Sequence, residues 1–351
     1  MNHDADRPGL LLSHPACLEH DPRVHSPGHP DTPERLVRLG AALAERNWLG
    51  WQRAEAPQLD PERLELVHHA AHVRRVRELC ERGGGALDPD TSVVAASWPA
   101  ALHAAGAAAE MTRALLAGEH RAAFSAIRPA GHHAVADRAM GFCLFNNVAV
   151  AAACALLEDG VERVLVLDWD VHAGNGTAEI FRERPDVLLA CLHEHGLYPG
   201  TGPLHDTGSG AGEGYTLNLP VPPGSEEPLW LALIDEVVLP VARAYAPDLV
   251  LVSAGFDAHR LDPLARCRLE TESFARIAGR VRALAGELEV PVGVMLEGGY
   301  HSEVLAECVC AVLPVLDGAE PPAEQRARSL REDERTLVDA ARAQAGLSWP
   351  L

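Results

Sequence analysis

The stretch Arg163-Val-Leu-Val-Leu-Asp168-Trp169-Asp170-Val171-His172 decides the fold. Its first half is a continuous apolar run that closes on an aspartate. A strand with one wet face alternates apolar and polar residues; a strand covered on both faces does not. Runs of the same kind occur at 187–192, 249–253 and 292–297, with an earlier one at 122–127. Predicted helices separate them. One covers 33–46, opened by Thr32 as N-cap and Pro33 at the first position. Others cover 100–117, which stops before Gly118, then 147–158, 227–245 and 272–288. Strands alternating with helices predict an α/β fold built on a central, mainly parallel sheet.

The chain has 351 residues, 47% of them hydrophobic, which is enough to bury a large core. No linker, repeat or low-complexity block divides it, so a single domain is expected over 1–351. An amphipathic tail helix is expected over about 323–345, packed on the outside. Met1–Gly9 is polar and acidic, and Leu10-Leu11-Leu12 is too short for the core of a signal peptide. No apolar stretch reaches membrane-spanning length. The expectation is a cytoplasmic protein with no membrane partner. A formal charge of −20 argues against a nucleic-acid partner and would draw a cationic substrate. Cysteines 17, 80, 143, 154, 191, 267, 308 and 310 form no C-x-x-C pair and read as reduced, buried thiols. Gly83-Gly84-Gly85 and the glycine-rich run 196–214 read as loops; neither carries the G-K-[ST] of a phosphate loop. Whether the chain forms a homo-oligomer is left open.

In open parallel sheets, ligands bind beyond the carboxyl ends of the strands. The run at 163–168 leads into Asp168-Trp-Asp170-Val-His172-Ala-Gly174-Asn175, and that at 249–252 into Ser253-Ala-Gly-Phe-Asp257. The run at 292–296 leads into Glu297-Gly-Gly-Tyr300, and that at 122–127 into Arg128-Pro-Ala-Gly131-His132-His133. Asp170 and His172, two residues apart just past a strand, point the same way. Together with Asp257 they make three ligands with an open fourth position, the form of a catalytic zinc site. Two carboxylates and one imidazole also suit Fe(II) or Mn(II). In isolation, D-x-D-x-H equally suits carboxylates capping a strand-to-helix turn. The His132-His133 pair offers acid/base chemistry near neutral pH. Tyr300, after two glycines, offers a hydrogen bond to a developing oxyanion. His68, His69 and His72 have helical spacing and are expected on a solvent-facing helix. His193 and His195 border the glycine-rich loop.

Taken together, these residues resemble the histone deacetylase and acetylpolyamine amidohydrolase family, in the style of its class II branch and bacterial members. The resemblance covers about 10–316. It rests on His29-Pro-Asp-Thr-Pro-Glu-Arg35-Leu, Arg128-Pro-Ala-Gly-His-His-Ala134, Gly141-Phe-Cys-Leu-Phe-Asn-Asn147, Leu167-Asp-Trp-Asp-Val-His172, Gly174-Asn-Gly-Thr177, Ser253-Ala-Gly-Phe-Asp257 and Leu296-Glu-Gly-Gly-Tyr300, in that order.

The resemblance implies a three-layer arginase/deacetylase-like fold and hydrolysis of N-acetyl amides to acetate and a free amine. It assigns Zn2+ to Asp170, His172 and Asp257. His133 becomes the general base and acid, oriented by Asn175. His132, held by Asp168, is its electrostatic partner, and Tyr300 polarises the acetyl carbonyl. Phe142 and Tyr198, with Gly141, line an acyl-lysine tunnel, and Asp90 stands at its rim. Asp168 and the carbonyls of Asp170, His172 and Leu192 would hold a structural K+. The chain departs from the family pattern at Ala173, Ala130 and Cys191. Leu264 stands where acetylpolyamine-specific relatives carry glutamate, which favours acetyl-lysine. An acetylpolyamine amidohydrolase is the alternative, with an arginase-type ureohydrolase or a non-catalytic acyl-lysine reader further off.

Overall fold

The computed structural model describes residues 7–324 and 329–351. Eight strands form one sheet: β1 (Leu10–Ser13), β2 (Gln52–Glu55), β5 (Ala122–Ser125), β6 (Val164–Asp168), β7 (Val187–Glu194), β8 (Thr216–Val221), β9 (Leu249–Ala254) and β10 (Val292–Leu296). Their order is β2-β1-β5-β10-β9-β6-β7-β8. Every neighbouring pair is parallel. A separate antiparallel ribbon, β3 (Gly84–Ala86) and β4 (Ser92–Val94), brings the 88–91 turn to the carboxyl edge of the large sheet.

The continuous apolar runs are explained by the two cores. Leu165, Leu167, Leu188, Ala190, Val250 and Val252 point into one core, with helices Glu34–Glu45, Thr271–Leu288 and Ser302–Leu316. Val164, Val166, Val187, Leu189, Leu249 and Leu251 point into the other, with helices Ser97–Leu116 and Asn147–Ala155. Each strand feeds both layers, so its positions stay apolar until its carboxyl end, where Asp168, His193, Glu194 and Ser253 appear. At roughly 1.5–3 kcal/mol per buried aliphatic side chain, these strands specify their own register.

From β6 the chain winds outward through β7 and β8, then returns to place β9 on the opposite side of β6. Winding therefore reverses between β6 and β9, with Asp168 paired to Ser253 at the strand ends. A crevice opens at such a reversal, and ligands bind there.

Several expectations are corrected. The triple glycine is not only a loop: Gly84 and Gly85 lie in β3, where a Cβ on Gly84 would strike the Val93 carbonyl. The 227–245 helix is interrupted by one wide π turn at Ile234–Val238. The helix expected from 100 begins at Ser97. The tail helix runs Glu332–Ala345, opened by Glu334, whose carboxylate accepts the Arg331 N–H at 2.8 Å; the expected portion at 325–328 lies outside the described residues, as do residues 1–6. No helix among the described residues is long and apolar enough to cross a membrane. All eight cysteines are free and buried, as expected.

Candidate active site

The segment after β6 folds onto itself through its own carboxylates. Asp168 Oδ1 accepts the Asp170 N–H at 3.1 Å, and Asp170 Oδ1 accepts the His172 N–H at 2.9 Å. Two neighbouring strand ends then pin it. Asp257, after β9, accepts the Val171 N–H at 2.9 Å, and Gly298, after β10, donates to Asp170 Oδ2 at 2.8 Å. Gly298 must lack a side chain, since a Cβ would strike the Asp257 and Asp170 carboxylates.

Nδ1 of His172 lies 3.1 Å from Asp170 Oδ1 and 3.1 Å from Asp257 Oδ2. Single donor atoms of the three residues all lie within 4.8 Å of one another, and all three side chains are buried. Burial works against a charged His172, but the two carboxylates push it up to about 10. Burial, with the Asp170 carboxylate, pushes Asp257 up to about 7. Two buried carboxylates this close repel each other, and a divalent cation between them would remove that repulsion. Donor set, spacing and burial thus fit a metal ion.

The histidine pair lies beside this group. His132 Nδ1 is 3.0 Å from Asp168 Oδ2, and its Nε2 is 3.8 Å from Asp170 Oδ1. Burial opposes its charging, but Asp170 and Asp168 raise its pKa well above the usual imidazole range. His133 is driven the other way, well below that range, by burial and by its neighbours His132 and His172. Its Nδ1 donates to Asn175 Oδ1 at 2.7 Å, so Nε2 carries the lone pair. Two adjacent imidazoles are thereby split into one cation and one neutral base.

Asp90, His133, Gly141, Phe142, His172, Leu197, Tyr198, Leu264 and Tyr300 enclose one cavity of about 210 Å³. The sequence-predicted residues therefore converge: Asp168, Asp170, Asp257, His132 and Asn175 stand behind this lining. The Tyr198 ring meets His133 edge-on at 5.1 Å, and Phe142 meets Tyr300 edge-on at 5.8 Å. Burial holds the Tyr300 phenol well above its usual pKa, with the nearby Arg35 guanidinium opposing, so it stays a donor.

Structural supports appear that the sequence reading did not assign. Buried Glu297 accepts the N–H groups of Gly131 at 2.7 Å and His132 at 3.2 Å, tying the histidine loop to β10. Asp262 accepts from Tyr300 N at 2.7 Å and from Leu264 N at 2.9 Å, joining those two lining residues. Arg35 donates to the carbonyls of Glu297 and Gly299 and to Asp31. Arg35 and Glu297 stand inside motif blocks of the family, and Asp262 closes the block Gly255-Phe-Asp-Ala-His-Arg-Leu-Asp262-Pro263, which was the available signal.

The helix-face reading of three histidines is corrected. His69 is exposed, but His68 and His72 are buried. His68 bonds the Val135 carbonyl at 3.0 Å and accepts from Asn146 N at 2.9 Å, and His72 bonds the Leu144 carbonyl at 2.9 Å. They brace the loops behind the site. His193 is buried against the Gly202 carbonyl at 3.0 Å, away from the cavity lining, and His195 is exposed.

The histone deacetylase domain model matches residues 29–316, most of the chain and every element of the site. The chain belongs to the histone deacetylase family. It is 37% identical over 337 residues to a histone deacetylase-like amidohydrolase of Pseudomonas aeruginosa, covering 91% of this chain and 88% of that one. It is 37% identical to a probable deacetylase of Archaeoglobus fulgidus, covering 84% and 81%. The crystal structure of the HDA15 HD domain superposes with a TM-score of 0.90 at 34% identity, covering 98% of this chain and 96% of that chain. The fold is thus the arginase/deacetylase fold of this family, and the family's chemistry is amide hydrolysis.

Proposed function

We propose that this chain is a zinc-dependent deacetylase acting on an acetylated lysine side chain or a related acetylated cationic amine. The observation that supports it is the metal-ligand group at the inner end of a narrow cavity that also presents a neutral histidine and a protonated tyrosine.

Asp170, His172 and Asp257 would hold the zinc; Fe(II) suits the same donors. When bound, the ion supplies Lewis acidity to the acetyl carbonyl and to the attacking water. Nε2 of His133 takes the proton of that water and later returns one to the leaving amine nitrogen. Asn175 keeps the ring in the required tautomer, and cationic His132 supports negative charge developing nearby. The Tyr300 hydroxyl donates a hydrogen bond to the oxygen of the tetrahedral species. Phe142, Tyr198 and Leu264 enclose the aliphatic stem and exclude water. Asp90 at the rim accepts a substrate N–H. K+ would rest on Asp168 and the carbonyls of Asp170, His172 and Leu192; Cys191, whose sulfur lies 3.4 Å from Gly174 N, adds only a soft donor there.

An arginase-type reaction would need more bridging carboxylates; among the described residues one such ligand group is present. Eight free thiols fit a reducing, cytoplasmic setting. The test is acetate release from an acetyl-lysine peptide, measured with metal content. About one zinc per chain, with turnover lost on chelation and restored by zinc, is expected. Full turnover by the metal-free chain would overturn the reading.

A further inference from the structure

The turn that carries Phe142 into the cavity wall has an unfavourable backbone. Met140 and Cys143 bond each other in both directions, at 3.2 and 3.0 Å. Between them Gly141 has φ +57° and Phe142 has φ +67°. These are the φ signs of a type I′ turn, whose two central positions suit asparagine and glycine. Glycine belongs at 141, because a Cβ there would strike the His133 ring. A bulky aromatic does not belong at 142. Such a residue persists only where its surroundings hold it, and strain of this kind clusters at functional sites.

Thr91 supplies the hold. It is 1% exposed. Its hydroxyl oxygen accepts the Phe142 N–H at 3.1 Å and donates its own proton to Asp90 Oδ1 at 2.9 Å. The same Asp90 oxygen accepts the Gly141 N–H at 3.1 Å. Both amides of the strained turn therefore end on the Asp90–Thr91 dipeptide, one directly and one through the hydroxyl. His29 completes the frame. Its Nδ1 accepts the Asp31 N–H at 3.1 Å, so its Nε2–H donates to the Asp90 carbonyl at 3.0 Å. Its ring meets Phe142 edge-on at 4.4 Å.

We propose that Thr91 is a positioning residue that locks Phe142 in left-handed backbone and so sets the width of the substrate tunnel. The functional half of this rests on the deacetylase reading; the structural half does not. The hydroxyl acts as donor and acceptor at once, so serine can replace it and valine, of the same shape, cannot. Thr91→Val leaves the Phe142 amide without its partner.

Two measurements test it. The first is Tm for the wild type, Thr91→Val, Phe142→Gly and the double variant. Thr91→Val is expected to lower Tm by several degrees. In the Phe142→Gly background, where the turn carries glycine at both centres, at least half of that loss should vanish. Equal losses in both backgrounds would show an ordinary hydrogen bond that restrains no strain. The second is kcat and KM taken separately on an acetyl-lysine peptide. Thr91→Val should raise KM by roughly tenfold and leave kcat within about twofold, since the two bonds lost, from the Phe142 amide and to Asp90, bear on the wall and rim and not on the reacting groups. Thr91→Ser should restore KM. A fall in kcat at unchanged KM, or a serine variant as poor as valine, would overturn the positioning role. If the wild type turns over no acetylated amine, the deacetylase reading fails, while the Tm cycle still decides the structural half.

Discussion

Asn175 Oδ1 lies 2.7 Å from Nδ1 of His133, and that contact turns the lone-pair nitrogen of the ring towards the cavity. The partner is a neutral amide, so it orients the ring without charging it. Burial, His132 and His172 hold His133 well below the usual imidazole pKa, so the base form survives well into acid.

Asn175→Asp should therefore move the acidic limb of kcat/KM upward by about one pH unit, because a carboxylate favours the imidazolium. The sign follows from the base being lost as pH falls through a raised pKa. The pH–rate profile checks it; an unmoved or lowered limb would mean that another group supplies the base.

Asp257 is a ligand candidate and also accepts the Val171 N–H. Asp257→Ala or Asp170→Ala should abolish bound metal and turnover together. Metal analysis beside an acetate assay checks this, and either variant with metal intact and activity gone would reassign the residue.

Tyr300→Phe keeps the ring between Phe142 and Arg35 and removes only the hydroxyl. Loss of one oxyanion donor is worth about 3 kcal/mol, or on the order of a hundredfold in kcat, with Tm little changed. A near-normal kcat would place that donor elsewhere.

Leu264 lines the cavity and its backbone is held by Asp262. An aliphatic wall suits a lysine stem and gives no partner to a distant ammonium. The unmodified chain should prefer an acetyl-lysine peptide over acetylspermidine. Leu264→Glu should shift the kcat/KM ratio towards the polyamine by about tenfold, roughly 1.4 kcal/mol from one charge pair at a partly desolvated rim. A wild-type preference for acetylspermidine would show that Leu264 does not set the choice.

The inner strands were legible because β6, β7, β9 and β10 feed both cores and so read as unbroken apolar runs. The edges were not. β2 is Gln-Arg-Ala-Glu and mostly exposed, with nothing apolar to read, and β8 interrupts its pattern with Asn218 and Pro220. The candidate metal ligands and the histidine pair were legible as polar residues stranded at the ends of apolar runs. Glu297 and Thr91 were not assigned, because each acts on backbone amides brought near only by folding. His68 and His72 were misplaced for a related reason: the helix starts only at Ala70, so His68 lies before it, and spacing does not show which loops cover either residue.

The reversal of winding between β6 and β9 divides the labour of the molecule. Donor atoms sit at the tips of strands that the two cores hold fast, whereas Leu197, Tyr198 and Leu264 belong to connections that leave the sheet and come back. A lineage carrying this arrangement can lengthen or rewrite those excursions, and so change what the cavity admits, while the chemistry at the strand tips is inherited intact.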